Sequence, residues 1–252
     1  MGVIEELKEI IDSSENIVFF GGAGVSTESG IPDFRSAEGL YNAKTEFGYS
    51  PEEIISHSFF MRDPSIFYKY YKKNMIYTDA KPNYAHKALA TLEKEGKLKA
   101  VVTQNIDGLH QLAGSSNVLE LHGSVHKNKC MKCGANYDLN YIMNEHNCKD
   151  FVPICDKCGG IVKPEVVLYE EPLDDIVVSD SLRAIENSEI LIIGGTSLAV
   201  YPAANLINYF KGRKIILINK TVTRADNNAD IVIHNSLADI MRLVVNTINE
   251  EY

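Results

Sequence analysis

Several short runs of consecutive apolar residues punctuate the chain, and most of them end directly at glycine or at polar residues. A strand that is buried on both faces gives this pattern, because neither of its alternating sides meets water. The runs are Ile17–Phe20, Ala100–Thr103, Ile190–Ile193, Lys214–Ile218 and Ile231–Ile233, and helical stretches lie between them at Tyr84–Glu95, Asp180–Ile185, Ala203–Phe210 and Leu237–Asn246. This alternation of strand and helix predicts an α/β fold built on a Rossmann-like, doubly wound parallel sheet.

Two segments break the alternation and divide the chain. Residues 37–81 are rich in Tyr, Phe and Lys without a strand-like run, so they predict a mostly helical insertion. Residues 125–161 contain every cysteine and little hydrophobic periodicity, so this segment cannot have much of a core of its own. The remaining parts, 1–36, 82–124 and 162–252, are expected to form one discontinuous Rossmann-like domain, with the two insertions forming a small second domain.

The cysteines are arranged as two C-x-x-C pairs and one single residue. The paired residues are Cys130, Cys133, Cys155 and Cys158. Two thiolates on one tight turn bind a single ion, and a second such turn completes a closed tetrahedral site. We therefore expect one structural zinc ion that holds the small domain together and takes no part in chemistry. A redox dithiol, which the duplicated pair disfavours, and unrelated buried thiols are the alternatives, and Cys148 and His146 are expected at the surface.

Charge and composition exclude several classes of protein. The chain has 252 residues and a formal charge of −9, whereas a general nucleic-acid binder needs a clustered basic surface. Five cysteines, an odd number, fit a secreted disulfide framework poorly. The N-terminus lacks the pattern of a signal peptide, and the longest apolar stretch, 190–207, is interrupted by glycine and proline. We expect a cytoplasmic protein without a membrane or nucleic-acid partner.

A glycine-rich turn, Gly22-Ala23-Gly24-Val25-Ser26-Thr27, follows the first apolar run. Its glycines would allow the backbone to approach a pyrophosphate, and the N-terminus of a following helix would favour the anion. However, Thr27 stands where a dinucleotide-binding fingerprint has its third Gly or Ala. The turn alone leaves nucleotide binding and an ordinary capped strand-to-helix turn equally open.

Polar residues at the ends of other predicted strands favour a ligand site. Ligands of such sheets bind at the carboxyl ends of the strands, where this chain carries Gln104-Asn105-Ile106-Asp107, Gly195-Thr196-Ser197 and Asn219-Lys220. His122 stands directly before the cysteine-bearing insertion, at a domain boundary where clefts commonly form. A lone histidine is more often structural than catalytic, so His122 gains weight only from these neighbours.

Together these segments resemble the sirtuins, the NAD-dependent protein deacylases. The segments that match, in the family's order, are Gly22–Ser26, Gly30–Arg35, Thr103–Asp107, His122–Gly123, the two C-x-x-C pairs, Gly195–Leu198 and Asn219. The resemblance covers nearly the whole chain. The chain is similar to a bacterial member that consists of little beyond the catalytic core. It implies an NAD-dependent protein lysine deacetylase, with NAD as co-substrate and an acetylated lysine protein or peptide as partner.

The resemblance also implies roles for individual residues in a cleft between the two domains. His122 would be the general base, with Asn105 as the second catalytic residue. The cofactor-binding residues would be Gly22, Ala23, Gly24, Ser26, Thr27, Ile31, Asp33, Phe34, Arg35, Gln104, Asn105, Ile106, Asp107, His122, Gly195, Thr196, Ser197, Asn219 and Lys220. The acyl-lysine would contact Phe34, His122, Val167 and Tyr169, and its extended backbone would add to the protein as a strand.

Two departures from the family pattern bear on the substrate. Many members have an aromatic residue followed by Gly-Glu where this chain has Tyr169-Glu170-Glu171, so peptide preference is open. The acidic pair is either an attractor of basic peptides or a solvated loop. Members that remove succinyl groups carry Arg where this chain has Tyr71; without that carboxylate clamp we expect an uncharged acyl group, acetyl first.

The chemistry expected from the resemblance needs a base near neutral pH. His122 would take a proton from a ribose hydroxyl, a role that suits an imidazole, and a dry cleft would keep water from the activated ribose. The products would be nicotinamide, free lysine and O-acetyl-ADP-ribose. The alternatives are an ADP-ribosyltransferase or NAD glycohydrolase on the same scaffold, and a non-catalytic NAD sensor or zinc-ribbon module.

Overall fold

A computed structural model of the protein describes residues 2–32 and 44–247. Its strands are, in chain order, β1 (Ile17–Gly21), β2 (Leu98–Thr103), β3 (Val118–Glu120), β4 (Gly123–Cys130), β5 (Asn136–Tyr137), β6 (Cys148–Lys149), β7 (Val152–Pro153), β8 (Val162–Val166), β9 (Ile190–Gly194), β10 (Lys214–Ile218) and β11 (Ile231–Ile233). Six of them form one sheet in the order β3-β2-β1-β9-β10-β11, and every neighbouring pair is parallel. Because the order reverses between β1 and β9, this is the doubly wound, Rossmann-like arrangement, and the predicted fold class is confirmed.

The helices connect these strands and cover both faces of the sheet. The α-helices are α1 (Val3–Ser13), α2 (Pro51–Ile54), α3 (His57–Arg62), α4 (Pro64–Asn74), α5 (Tyr84–Lys94), α6 (Leu109–Leu112), α7 (Leu139–Met143), α8 (Asp175–Asn187) and α9 (Leu237–Val244). Short 3₁₀ helices lie at Ala23–Val25, Thr27–Ser29, Glu145–Asn147, Ala203–Tyr209 and Asp226–Asn228, and residues 44–47 are also helical. No helix in the described ranges has the length and apolar character that a membrane crossing requires.

The central strands are buried on both faces, as their continuous apolar sequence predicts. Ile17 and Phe19 of β1 pack with α1, α5 and α9 on one side of the sheet. Val18 and Phe20 of the same strand pack on the other side, with α8 and the 3₁₀ helix at Ala203–Tyr209. Successive side chains of a strand point to opposite faces, so one run of apolar residues supplies two separate cores.

A third core joins the two insertions. The helices α2 to α4 pack against the antiparallel sheet β5-β4-β8. Its centre is an aromatic cluster, Phe59, Phe60, Phe67, Tyr68 and Tyr71, together with the buried Cys130 and Cys155. The cysteine segment therefore shares the core of the helical segment, which explains how it folds with so little hydrophobic periodicity of its own.

Some local predictions were wrong. The glycine-rich turn is followed by two 3₁₀ turns and not by an α-helix, since the chain reverses at Gly30, whose φ is +83°. The predicted helix Ala203–Phe210 is a 3₁₀ helix over Ala203–Tyr209. Strand β3 was not predicted, because an edge strand of three half-buried residues carries no continuous apolar run.

Candidate active site

A cavity of about 290 Å³ opens at the carboxyl ends of the central strands. It gathers most of the residues that the sequence singled out, from five separate segments of the chain. The predicted residues that line it are Gly22, Ala23, Gly24, Ser26, Ile31, Gln104, Asn105, Ile106, Asp107, His122, Val167, Tyr169, Gly195, Thr196 and Ser197. Thr27, Asn219 and Lys220 do not line this cavity, and Asp33, Phe34 and Arg35 lie outside the described residues.

The cavity also has walls that sequence reasoning missed. They come from the helical insertion and from the chain after β9: Ile55, Asn74, Met75, Tyr77, Val200, Tyr201 and Pro202. None of these residues stands directly at the end of a predicted strand, and none belongs to a recognisable motif. The aromatic-rich composition of the insertion indicated a core, and it could not indicate which side of that core faces the cleft.

The two glycine turns pack directly on each other at the floor of the cavity. The amide of Gly24 donates to the carbonyl oxygen of Gly195 at 2.8 Å. A Cβ at Gly24 would lie 2.8 Å from the Cα of Gly195, and Gly195 itself has a φ of +58°. Glycine is required here by the contact between the two loops, a reason that does not depend on a pyrophosphate.

Gln104 ties the same two loops to the end of β2. Its side-chain amide donates to the Thr196 hydroxyl at 3.1 Å and lies 3.4 Å from the carbonyl oxygen of Gly21. Its backbone amide also donates to Gly21 at 3.0 Å. Three strand ends are therefore joined in one hydrogen-bonded unit at the cavity, in which the Gln104 and Thr196 side chains make the link to the end of β9.

Ser26, Asn105 and Asp107 form a hydrogen-bonded group deep in the cavity. The Ser26 hydroxyl donates to Oδ2 of Asp107 at 2.7 Å and accepts from Nδ2 of Asn105 at 3.1 Å. Oδ1 of Asp107 accepts from the amide of Leu109 at 2.9 Å. Burial raises the pKa of Asp107, and the hydrogen bonds from Leu109 and Ser26 oppose that rise by favouring the carboxylate.

A buried histidine, which sequence reasoning missed, stands behind Ser26. The amide of Asn83 donates to Nδ1 of His86 at 3.3 Å, so the proton of a neutral His86 ring lies on Nε2. Nε2 is 3.5 Å from the Ser26 hydroxyl oxygen, where it can only donate. Burial, and next the neighbouring His110, lowers the pKa of His86 to about 2, which keeps this ring neutral. Ser26 then has both of its acceptor positions filled and points its own proton at Asp107.

A hydrogen bond to a backbone group also orients the ring of His122, and it selects the opposite tautomer. Its Nδ1 lies 2.9 Å from the backbone carbonyl oxygen of Gln104. A carbonyl only accepts, so Nδ1 carries the proton and Nε2 of the neutral ring carries a lone pair. The backbone of His122 is also fixed, because the amide of Val167 donates to its carbonyl oxygen at 2.9 Å. The geometry suits a residue that accepts a proton at Nε2.

The segment from Val166 to Glu171 forms the opposite wall of the cavity. Tyr169 exchanges two backbone hydrogen bonds with the start of α3: its amide donates to Ile55 at 3.0 Å, and the amide of His57 donates to its carbonyl oxygen at 2.9 Å. Tyr71, in contrast, does not line the cavity. It is fully buried and stacks on Phe67 with ring centroids 5.4 Å apart.

The four paired cysteines converge away from the cavity. All four sulfur atoms lie within 4.8 Å of one another, and three of the pairs measure 3.5 to 3.6 Å. Four thiolates at about 2.3 Å from a tetrahedral zinc ion are ~3.8 Å apart, so the donor set and spacing fit zinc. These distances are far beyond the ~2.05 Å of a disulfide. Cys148 and His146 are not in the cluster; Cys148 is partly exposed and accepts from Lys72 Nζ at 3.2 Å, and His146 is exposed.

Comparison with known proteins decides the family. The model of the Sir2 family matches residues 22–202, which is most of the chain. The chain belongs to the Sir2 family. The NAD-dependent protein deacetylase of Clostridium tetani is 62% identical over 97% of this chain and 98% of its own length. That of Clostridium acetobutylicum is 59% identical over 96% and 98%.

Solved Sir2 structures share the fold along the whole chain. A Sir2 protein with a p53 peptide and NAD+ has a TM-score of 0.85 at 34% identity, with 97% of each chain covered. A Sir2 protein bound to an acetylated peptide has a TM-score of 0.84 at 33% identity, again with 97% of each chain covered. The resemblance to sirtuins is thereby confirmed, and the cavity lies within the segment that the Sir2 family model matches.

Proposed function

We propose that this protein is an NAD-dependent protein lysine deacetylase that transfers the acetyl group of acetyl-lysine to ADP-ribose and releases nicotinamide. The observation that carries the proposal is the orientation of His122 at the cavity. Its Nδ1 donates to the carbonyl oxygen of Gln104, so the lone pair of the neutral ring is on Nε2, where His122 would accept a proton. Curated relatives named as NAD-dependent protein deacetylases support the proposal, being 62% and 59% identical over nearly the whole chain.

The residues present fit NAD. Gly22 and Gly24 present backbone and no side chain to the cavity, because the opposite loop lies 3.0 and 2.8 Å from where a Cβ would be. The Thr196 hydroxyl and the Gln104 amide stand beside them. We assign the phosphates and riboses to this side of the cavity, and the nicotinamide amide to Asn105, Ile106 and Asp107. NAD supplies a glycosidic bond whose leaving group is already cationic.

Individual side chains of the protein then have separate roles in the reaction. Asp107, whose carboxylate is oriented by hydrogen bonds from Ser26 and Leu109, accepts from the nicotinamide amide and fixes its orientation. His122 takes a proton from a ribose hydroxyl at Nε2, which contributes roughly 10²- to 10⁴-fold to such reactions. Val167 and Tyr169 hold the acyl-lysine backbone. The zinc ion, bound by four cysteines, has no open position and supplies structure only.

The proposal includes the division of the chain into domains and its location. We assign 1–36, 82–124 and 162–252 to the NAD-binding domain, and 37–81 with 125–161 to the small zinc-bearing domain; the separate third core supports this division. We also propose a cytoplasmic location, where a reducing environment keeps four zinc-binding thiols reduced.

The deciding experiment combines the full-length protein, NAD and an acetyl-lysine peptide, with products followed by mass spectrometry. We expect equal amounts of nicotinamide, deacetylated peptide and O-acetyl-ADP-ribose, and no nicotinamide release without peptide. Free ADP-ribose with unchanged peptide would instead identify an NAD glycohydrolase. A matched succinyl peptide is expected to react poorly, because the buried Tyr71 stands where succinyl-removing members carry Arg; equal turnover of both peptides would contradict the acetyl preference.

A further inference from the structure

Both carboxylates of the acidic pair Glu170-Glu171 make hydrogen bonds within the protein, although Glu170 is exposed and Glu171 is half-buried. Glu170 accepts from the amide of Ser58 at 2.8 Å and from the Ser58 hydroxyl at 3.0 Å. Ser58 lies in the first turn of α3, so the carboxylate binds the cleft segment to the helical insertion. The sequence left two alternatives open for this pair, attraction of basic peptides and a solvated loop, and neither of them includes these contacts with Ser58.

The backbone of Glu170 explains why a side-chain contact is needed. Its φ is +75°, in the left-handed region that favours glycine. Many family members have glycine at this position. Glutamate adopts a positive φ at a higher energetic cost than glycine does. The two hydrogen bonds to Ser58 compensate for that conformation and make the turn depend on the carboxylate.

Glu171 secures the same segment from the other side. Its Oε1 lies 2.8 Å from Nδ1 of His57, and its Oε2 accepts from Nζ of Lys163 at 3.1 Å and from the amide of Leu168 at 2.9 Å. The Lys163 and Glu171 side chains are each only 18% exposed. Burial acts to raise the pKa of Glu171, but His57, Leu168 and Lys163 together outweigh it and lower the pKa, so the carboxylate stays charged.

We propose that Glu170 and Glu171 act as a latch, which positions Leu168 and Tyr169 for the acyl-peptide by fastening them to α3 and β8. The inference rests on the proposed function, since it assumes that this wall holds the peptide. Its consequence is that peptide affinity depends on the hydrogen bonds of the latch and not on attraction between acidic residues and a basic peptide. Glu170 and Glu171 are thus positioning residues, and both line the cavity.

The test is equilibrium binding of two acetyl-lysine peptides to the full-length protein, one with neutral and one with lysine-rich flanks, by calorimetry. We expect E171Q to weaken both peptides at least fivefold and E170A at least threefold, with NAD affinity within twofold of wild type. E170Q retains an acceptor oxygen for Ser58 and should bind nearly as wild type. The matched control is E165Q, which removes a charge from exposed Glu165 on β8 and leaves the latch intact.

Amide exchange supplies a readout that does not depend on binding. The Ser58 amide should exchange faster in E170A and E170G, and remain protected in E165Q and E170Q. The latch is overturned if E170A and E171Q bind both peptides like E165Q, or if only the lysine-rich peptide weakens. A loss of NAD affinity equal to the loss of peptide affinity would indicate general destabilisation and would also overturn it.

The failure of the latch and the failure of the proposed function are distinguishable. If the wild-type protein deacetylates the peptide and the variants bind it normally, the proposed function stands and the latch is rejected. If the wild-type protein binds the peptide without deacetylating it and the variants bind it weakly, the latch stands and the proposed function is rejected.

Discussion

The amide of Val167 donates a hydrogen bond to the carbonyl oxygen of His122 across 2.9 Å. The residue proposed as general base and the segment proposed to hold the acyl-lysine are therefore joined through their backbones. The neighbouring Gly123 makes this approach possible: a Cβ there would lie 1.9 Å from the carbonyl oxygen of Glu165. The distance between His122 and the segment at Val167 is therefore set by a backbone contact that requires glycine at position 123.

We expect His122→Ala to abolish turnover while preserving the fold. The substitution removes the proposed base but keeps the backbone bond to Val167, so turnover should fall roughly 10²- to 10⁴-fold. Turnover by mass spectrometry and thermal unfolding of the same preparation check this together. His146→Gln, at an exposed position, is the control. Turnover within a few-fold of wild type would show that another group acts as base.

We expect His86→Phe to impair the nicotinamide side of the reaction. The variant removes the donor that fills one acceptor position of Ser26, so the Ser26 hydroxyl becomes free to rotate away from Asp107. The expected result is at least a threefold weaker inhibition by added nicotinamide and a several-fold lower kcat, with peptide KM unchanged. His86→Gln, which can still donate, should restore part of both losses. Equal losses in the two variants, in proportion to lowered thermal stability, would contradict a positioning role.

Two buried histidines should make the protein sensitive to acid. Burial, and then His110, lowers the pKa of His86 to about 2, and burial lowers the pKa of His110 to about 4. Both rings are neutral in the folded protein above pH ~4, whereas the unfolded chain protonates them below pH ~6.5. The unfolded state then binds more protons, and the free energy of unfolding falls by about 1.4 kcal/mol per pH unit for each histidine as the pH drops from ~6.5 towards ~4.

Urea unfolding at several pH values between 7.5 and 4.5 measures this dependence. His110→Phe should remove the contribution of one histidine and give a shallower slope than wild type. The exposed His146→Gln should leave the slope unchanged. Identical slopes for wild type and His110→Phe would contradict the assignment of acid sensitivity to this pair.

Zinc removal should affect the small core before the parallel sheet. Metal analysis should find one zinc ion per chain, and Cys155→Ser should lose it. Cys130 and Cys155 are only 2% exposed and belong to the aromatic core, so amides of β4 and β8 should then exchange faster than those of β1 and β9. Cys148→Ser, outside the cluster, is the matched control and should retain the metal. Full protection of β4 without zinc would show that the aromatic core alone holds this region.

Continuous apolar runs predicted the parallel sheet, because a strand that is buried on both faces has consecutive apolar residues, as at Ile17–Phe20. The cysteine cluster was predictable because thiolate spacing is itself the signal. The edge strand β3 left no such trace, and neither did the contacts of Glu170. Whether a carboxylate meets solvent, a peptide or Ser58 depends on the packing of segments 112 residues apart, which local pattern does not encode.

The sequence analysis missed some residues of the site for one common reason. His86 was unremarkable inside a helical stretch, because its partner Ser26 lies 60 residues earlier in the chain. Polar residues at strand ends were recognisable, since the sheet brings those ends to one edge. Residues that support them from the adjoining helix follow only from three-dimensional packing.

The contact between Gly24 and Gly195 links two loops that are encoded far apart, one after β1 and one after β9. Neither loop can gain a side chain at this point without displacing the backbone of the other. Loop exchange between relatives would therefore be tolerated only where the incoming loop keeps glycine at this position.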